Sequence, residues 1–147
     1  MIPAWRFAPA SEADFEPLLA LRVDVMREHL ERVFRYDPER ARRVFREHFH
    51  EPGLRLILVE DTTVGCVGFR VGTAEIRLDS FYLDRRHHDT GLGSAILKVL
   101  LAEADALGLP IRLEVLTGSK ADRFYLRHGF VKLSEDAIEG TYERRTS

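Results

Sequence analysis

Two glycines lie between a strand-like run and a long helical pattern, in the segment Gly91-Leu92-Gly93-Ser94. The first backbone N–H groups of a helix have no partner within the helix, and the helix dipole places positive partial charge at that end. Glycine has no Cβ, so a phosphate can approach the backbone closely there. The segment therefore predicts an anion-binding loop over residues 88–94. The same turn also fits an ordinary strand-to-helix connection.

The glycine spacing excludes the two commonest nucleotide-binding loops. A P-loop requires a Gly-Lys-Ser/Thr ending, which this segment lacks. A dinucleotide-binding fingerprint requires a third glycine, but Ile96 occupies the matching position. The strand before the turn also closes a run of consecutive strands, whereas the fingerprint belongs to an early βαβ unit. The predicted ligand is therefore a phosphorylated molecule of another kind.

A second group of chemical interest follows about thirty residues later. Tyr125 stands on a short predicted helix, just before Gly129, Phe130 and a further strand. A phenol in this place could face the same cleft as the glycine turn. An amphipathic tyrosine in the core fits the spacing as well, because aromatic side chains commonly bury their rings.

Changes in hydrophobic period divide the chain into the elements that would position these groups. Helices are predicted over residues 15–30, 40–49, 94–107 and 121–128, with Ser11 and Asp14 as a capping box and Asp37-Pro38 as a helix start. Strands are predicted over residues 5–8, 54–60, 64–71, 75–83, 111–116, 130–133 and 138–142, with turns at 61–63 and 72–74. The three consecutive strands predict an antiparallel meander. The whole order predicts a mixed α+β sheet with helices on both faces.

Composition narrows the class of protein. The 147 residues predict one domain over 1–147, and 45% hydrophobic residues allow a substantial core. A net charge of −2 argues against non-specific nucleic-acid binding, and no apolar run is long enough to cross a membrane. The single cysteine, Cys66, excludes an internal disulfide and suggests the reducing cytoplasm. We expect Cys66 to be a small buried residue.

Two segments make the chain resemble the GNAT superfamily of acyl-CoA-dependent N-acyltransferases. Residues 81–93, FYLDRRHHDTGLG, are similar to the family's pyrophosphate loop, usually Arg/Gln-x-x-Gly-x-Gly/Ala. Residues 121–130, ADRFYLRHGF, are similar to its C-terminal Ala-x-x-Phe/Leu-Tyr-x-x-x-Gly-Phe. The element order matches over nearly the whole chain. His88 stands where the family usually has Arg or Gln, and Asp89 and Thr90 stand where Gly and Lys are common.

The resemblance implies a fold and a co-substrate. The fold would be a GNAT-like, mostly antiparallel sheet of six to seven strands, splayed between the fourth and fifth, with about four helices on its two faces. Acetyl-CoA would lie in the splay, and no metal is expected. Its pantetheine arm would bond to the backbone near Phe81 and Leu83, as an added strand would. The pyrophosphate would bind the amides of His88, Asp89, Thr90, Gly91, Leu92, Gly93 and Ser94, with less side-chain help than is usual for the family.

The resemblance also implies a reaction, the direct attack of a primary amine on the thioester. The leaving thiolate needs a proton or stabilisation, and Tyr125 matches the family's tyrosine. Glu114 or Asp79 could accept the amine proton, directly or through water. Either carboxylate could instead be a solvent-facing strand residue or position the substrate, and a water chain could replace a dedicated base.

The acceptor side would be covered by the two N-terminal helices. Arg22, His29, Tyr36 and Asp79 are the candidate substrate-binding residues, and the acceptor would be a small molecule or a peptide. His29, His48 and His50 lack the spacing of metal ligands, so we expect them at the surface. The alternatives are a non-catalytic acyl-CoA-binding module and a phosphate binder that shares the fold. The protein would be a monomer or a homodimer.

Overall fold

The computed structural model describes residues 2–33 and 36–146. The strands are β1 Trp5–Pro9, β2 Leu54–Val59, β3 Thr62–Val71, β4 Ile76–Leu83, β5 Ile111–Leu116, β6 Val131–Glu135 and β7 Glu139–Arg144. The helices are α1 Phe15–Val33, α2 Pro38–His50, α3 Leu92–Leu107 and α4 Ala121–Arg127, with short 3-10 turns at Glu12–Asp14 and Arg85–His87. Every predicted element is present within a few residues of its predicted bounds. None of these helices combines the length and the apolar character needed to cross a bilayer.

The described strands form one sheet in the order β1-β2-β3-β4-β5-β7-β6. All neighbours are antiparallel except β4 and β5, which run parallel. Their pairing is limited to Ile76 with Ile111 and Arg77 with Arg112. Beyond these residues the two strands share no ladder, so a cleft opens between them. The mixed, mostly antiparallel sheet that splays between its fourth and fifth strands is therefore confirmed.

Each face of the sheet carries two helices and its own hydrophobic cluster. On one face, α3 and α4 pack through residues such as Leu97, Leu100 and Phe130. On the other face, α1 and α2 pack through Phe15 and Phe45, whose rings stack at 5.8 Å between centroids. Strand residues alternate between the two faces, so one strand can serve both clusters. The prediction of helices on both faces is confirmed.

The turn between β2 and β3 differs from the prediction. The loop consists of Glu60 and Asp61 alone, because Val59 already pairs with Thr62. Both loop residues have positive φ, 50° and 64°, as a two-residue type I′ hairpin requires. The predicted turn at residues 61–63 was wrong because the usual glycine signal for this turn is absent.

The start of α2 confirms a capping prediction. The Asp37 side chain accepts hydrogen bonds from the backbone N–H of Glu39 (3.0 Å) and of Arg40 (3.4 Å). Pro38 occupies the first helical turn, where its missing N–H costs nothing. The helix therefore begins at Pro38, two residues before the predicted start.

Strand β4 carries a bulge where it borders the cleft. Ser80 and Phe81 together lie opposite the single residue Val67 of β3, because the register shifts there. Ser80 has a φ of 49°, in the left-handed region that residues other than glycine seldom adopt. The bulge interrupts the ladder and bends β4 locally, next to the cleft.

Residues of β3 accommodate this bulge. A Cβ at Gly65 would overlap the carbonyl oxygen of Tyr82, so a side chain there would displace the strand. The buried Cys66 thiol donates a hydrogen bond to the Ser80 carbonyl at 3.2 Å. Burial raises the pKa of this thiol to about 12, so it remains a protonated donor. Cys66 is the small buried residue that the sequence predicts.

An ion-pair network fastens the start of β4 to β3 and α2. The buried Arg70 donates to both oxygens of Asp79, at 2.9 and 3.2 Å, and to the carbonyl oxygens of His48 and Glu51 at the end of α2. Arg77 donates to Asp79 as well, at 3.0 Å. Burial alone would raise the pKa of Asp79, but the two arginines outweigh it and hold that pKa below its usual range.

Replacing Asp79 with asparagine is expected to lower the free energy of unfolding by about 3 kcal/mol, because it leaves the Arg70 charge buried without its carboxylate. The loss should shrink as pH falls below 3.8, the ordinary carboxyl value, where the wild-type Asp79 becomes protonated and loses its own contribution. Urea denaturation at pH 7 and pH 3 measures both effects. Equal stability of the two proteins at pH 7 would contradict the structural role of Asp79.

Candidate active site

The loop from β4 to α3 leaves several backbone amides without a partner. Asp89 and Gly91 both lie in the left-handed region, with φ of 57° and 89°. The first bond of α3 runs from the Ala95 N–H to the Gly91 carbonyl. Gly93 and Ser94 precede it, and their N–H groups have no bond to any described residue. An anion could therefore bind at this helix end, where the dipole is positive.

Not every predicted amide is available. The His88 N–H already donates to the Arg85 carbonyl at 3.2 Å, within the 3-10 turn. The Leu92 N–H points to the Thr90 hydroxyl at 3.4 Å. The amides of Asp89, Thr90, Gly91, Gly93 and Ser94 remain without bonds to the described part of the chain.

The side chains of the loop mainly hold its own shape. His88 Nε2 lies 2.7 Å from the Leu83 carbonyl, and since a carbonyl only accepts, this nitrogen carries the proton. The Thr90 hydroxyl donates to the His87 carbonyl at 2.9 Å. Asp89 makes no side-chain bond to the described residues. The His88 and Thr90 side chains are therefore engaged within the loop itself.

Two cations, Lys98 of α3 and Arg127 of α4, lie near His128 beside the start of α3. Ser94 Oγ lies 3.1 Å from His128 Nε2, at the end of α4. Burial, reinforced by the cations Lys98 and Arg127, lowers the pKa of His128, so its ring is neutral near pH 7. The two cations therefore supply the local positive field that would attract phosphates.

Aromatic side chains form the wall of the cleft beside this loop. Phe81 of β4 and Phe124 of α4 make an edge contact, with ring centroids 6.3 Å apart. A Cβ at Gly93 would lie 3.6 Å from the Phe124 ring and 3.7 Å from Leu83. The predicted pantetheine residues Phe81 and Leu83 are thus half-buried on the side of α3 and α4. The structure brings them together with the glycine turn.

Tyr125 lies on α4 in the same cluster. Its ring makes edge contacts with Phe124 and Phe130, at 5.1 and 5.3 Å between centroids. The side chain is 9% exposed, and its hydroxyl makes no hydrogen bond to the described residues. That oxygen is not among the fully enclosed unpartnered atoms, so it reaches solvent. The hydroxyl can therefore donate to a ligand.

The pKa of Tyr125 refines its chemical role. Burial, with a smaller contribution from the nearby Tyr82 phenol, raises the pKa of Tyr125 above its usual range. The phenol then remains protonated at every physiological pH. A thiol has a pKa near 8.5, so complete proton transfer from such a weak acid to a thiolate is unfavourable. Hydrogen-bond donation to the developing charge is the role that this environment favours.

Glu114 lies on the opposite face of the sheet, on the side of α1 and α2. Its neighbours Leu113 and Val115 point into the cluster beneath α3. Because side chains alternate between the two faces of a strand, Glu114 points to the opposite face. On β7, Glu139 lies diagonally from Glu114 on that same face. Burial and the Glu114 charge raise the pKa of Glu139. The two carboxylates form a pair that the sequence did not reveal, because it arises from the β5–β7 register.

Replacing Glu139 with glutamine is expected to stabilise the protein more at pH 7 than at pH 4. A raised carboxyl pKa means that the folded protein holds the proton more tightly than the unfolded chain does. The wild type therefore loses stability as pH rises from 4.5, the ordinary value, through the raised one, and the variant escapes this loss. The melting temperatures of Glu139→Gln and the wild type at pH 4 and pH 7 test this difference, with the exposed Glu47→Gln as the control. An equal shift at both pH values would contradict the expectation.

The four predicted acceptor residues do not form one site. Arg22 and Tyr36 line the same cavity, of about 120 Å³, between α1 and α2. His29 lies two turns further along α1, where Arg32 contacts its Nδ1 at 3.1 Å, and burial lowers the pKa of its ring. Asp79 belongs to the Arg70 network, and both of its oxygens are occupied by arginines.

One residue at the cleft escaped the sequence reasoning. Tyr82 of β4 accepts a hydrogen bond from Arg22 Nε at 3.2 Å. Its ring packs with the α1 and α2 cluster, while its neighbours Phe81 and Leu83 pack on the other face. Two tyrosines, Tyr82 and Tyr125, therefore approach the cleft from opposite faces of the sheet. The alternation of strand residues was the available signal.

His48, Glu51 and Asp79 are close enough to share a cation, with ligand atoms within 4.8 Å of one another. Both carboxylates already form ion pairs with Arg70 and Arg77. The two guanidinium charges oppose the entry of a metal ion. These three residues therefore belong to the network of Arg70 and Arg77, which explains why they lie close together.

Comparison with known proteins places the chain among acetyltransferases. A family model described as the acetyltransferase (GNAT) family matches residues 21–130, well over half of the chain. Among curated proteins, none matches this chain.

Several solved structures share the fold at low sequence identity. The PaiA N-acetyltransferase of Thermoplasma acidophilum, solved in complex with coenzyme A, is 16% identical, with a TM-score of 0.76 over 97% of this chain and 99% of that one. Ard1 of Thermoplasma volcanium is 22% identical, with a TM-score of 0.73 over 98% and 99%. An acetyltransferase of Thermus thermophilus is 20% identical, with a TM-score of 0.74 over 96% of each chain. The likeness covers nearly the whole of each protein.

Proposed function

Because the chain belongs to the acetyltransferase (GNAT) family, we propose that it transfers an acetyl group from acetyl-CoA to a primary amine. The amine would belong to a small molecule or a peptide. The observation that carries the proposal is the α3 N-terminus, whose unpaired amides lie at the end of the strand that borders the β4–β5 cleft.

Binding of acetyl-CoA would use backbone groups more than side chains. The amides of Gly93 and Ser94, with those of Asp89, Thr90 and Gly91, are oriented by the loop and would receive the pyrophosphate. The bulged edge of β4 near Phe81 and Leu83 would pair with the pantetheine amides. Support for this arrangement comes from PaiA, a protein of the same fold solved with coenzyme A.

The reaction would be a direct displacement at the thioester carbonyl. The neutral amine nitrogen attacks the carbonyl carbon, the carbon–sulfur bond breaks, and an amide forms. The attacking nitrogen loses one proton, and the departing sulfur takes up one, so no other reactant is consumed. Two groups must therefore handle protons or charge on the two sides of the cleft.

The residues at the cleft suit these two tasks. The Tyr125 hydroxyl, which has no partner within the described chain, would donate to the sulfur as it becomes negative. Glu114, on the opposite face, would accept the amine proton through water, and the neighbouring Glu139, whose pKa is raised by burial and by the Glu114 charge, provides a second carboxyl on that face.

Two measurements on the purified protein test the proposal. Calorimetry with acetyl-CoA should show saturable binding, and release of the CoA thiol should require an added amine. The amines tested should include polyamines, amino acids and short peptides. Binding without turnover on any amine would identify a non-catalytic acyl-CoA module. Absence of binding would contradict the assignment of the loop.

A further inference from the structure

The protein buries two arginines with unequal partners. Arg22 and Arg70 are each 8% exposed. Arg70 binds the Asp79 carboxylate and several backbone carbonyls. Arg22 makes one hydrogen bond, from Nε to the neutral Tyr82 hydroxyl, and its Nη1 is fully enclosed without a partner. This Nη1 atom therefore has neither a carboxylate nor any other hydrogen-bond partner within the described chain.

A buried guanidinium is costly unless it is fully paired, and the contacts of Arg22 offset only part of that cost. A buried charge is normally matched by an opposite charge or by a full set of hydrogen bonds. The Phe45 ring is 5.9 Å from the guanidinium carbon, at the outer limit of a cation–π contact. The position is therefore unfavourable for stability alone, which indicates that the charge serves a ligand.

A cavity adjoins this guanidinium. Its volume is about 120 Å³, and its walls include Arg22, Tyr36, Asp37, Arg40 and the apolar Val44. Asp37 already caps α2 through the Glu39 and Arg40 amides, so its carboxylate is engaged. The space is too small for a whole ligand of ordinary size but suits a carboxylate with one or two carbons. Tyr36 also borders a wider groove of about 750 Å³ between α1 and α2, whose walls carry five carboxylates and three arginines.

Arg22 connects the cavity, which lies between α1 and α2, to the strand that borders the cleft. Arg22 bonds to Tyr82, which stands on β4 between the two predicted pantetheine residues, Phe81 and Leu83. Tyr82 packs with the α1 and α2 cluster, and Tyr125 packs with the cluster on the other face of the sheet. A molecule anchored at Arg22 would extend past Tyr82 towards the cleft.

We infer that Arg22 binds a carboxylate of the acceptor, so the acceptor is an amine that also carries a carboxyl group, such as an amino acid. A guanidinium forms a strong charge-assisted hydrogen bond with a carboxylate, and Arg22 Nη2, which is neither bonded to the described residues nor fully enclosed, is the nitrogen open to it. The inference rests on the proposed acetyl transfer and adds the chemical class of its acceptor.

The kinetic test compares L-amino acids with their carboxamides as acceptors. The wild type should prefer at least one acid over its amide by more than tenfold in kcat/KM. In Arg22→Gln that preference should disappear through a roughly 30-fold rise in KM for the acid, the size expected for one charge-assisted hydrogen-bonded pair. The exposed Arg43→Gln controls for net charge and should keep the preference. Equal use of acids and amides by the wild type would overturn the inference and leave the acetyltransferase proposal standing.

A binding test needs no turnover. Succinate and an L-amino acid, each against sodium chloride at equal ionic strength, should raise the melting temperature of the wild type but not of Arg22→Gln. Identical responses from the two proteins would overturn the inference even if no amine is acetylated.

A stability test separates a ligand-binding arginine from a structural one. Arg22→Met should melt at the same temperature as the wild type or higher, because it removes an unpaired buried charge, whereas Arg70→Met should melt at a much lower temperature. A large loss in Arg22→Met would show that the fold itself requires Arg22, and would count against the inference.

Discussion

Replacing Gly91 with glutamate is expected to weaken acetyl-CoA binding by about 100-fold or more, because it places a carboxylate among the amides that would receive the pyrophosphate. Gly91 precedes α3 directly, and the neighbouring N–H groups of Gly93 and Ser94 are without partners in the described chain. The new carboxylate would compete for these donors and repel the phosphates. Calorimetric titration with acetyl-CoA measures the loss.

The opposite end of the same helix provides the control. Gly108 also has positive φ, 71°, with open space around it. Gly91→Glu and Gly108→Glu therefore introduce the same charge and a similar backbone strain, about 1–2 kcal/mol each. Both should lose similar stability, but only Gly91→Glu should lose the ligand. Equal affinities in the two variants would show that the pyrophosphate lies elsewhere.

Removing the Tyr125 hydroxyl is expected to lower kcat by about 100-fold with little change in KM, because its hydrogen bond matters chiefly as charge develops on sulfur. Since the pKa of Tyr125 is raised above 10, its ordinary value, the wild type should keep this contribution throughout the neutral and mildly alkaline range. Steady-state kinetics of Tyr125→Phe from about pH 6 to 9 test both statements.

Tyr142→Phe is the matched variant. Tyr142 is a second buried tyrosine of the same cluster, but its hydroxyl donates to Asp122. Deleting that hydroxyl should cost about 1 kcal/mol of stability and leave kcat nearly unchanged. Equal kcat values for Tyr125→Phe and the wild type, with a good acceptor, would remove Tyr125 from the mechanism.

Much of the fold could be predicted from the sequence because its signals are local. The helical spacing of apolar residues predicted α3 over residues 94–107, and the structure begins it earlier, at Leu92. The glycine turn and Tyr125 belong to short motifs, so their places at the start of α3 and on α4 could be predicted from the local sequence. The β2–β3 turn was misplaced because Glu60 and Asp61 adopt positive φ without a glycine to indicate it.

Features of the site that depend on long-range packing could not be predicted. Arg22 and Tyr82 are 60 residues apart in the chain and meet only when α1 packs on β4. Glu114 and Glu139 become neighbours through the β5–β7 register. The Asp79 carboxylate accepts hydrogen bonds from Arg70 and Arg77, and these side chains meet only in the folded sheet.

The central claim, acetyl transfer to an amine, is tested most directly with acetyl-CoA labelled in its acetyl group. The protein is incubated with the best acceptor, and mass spectrometry follows the label while a thiol reagent counts released CoA. The account predicts one labelled amide for each free thiol. Label recovered as free acetate, or retained on CoA while the cofactor is bound, would contradict it.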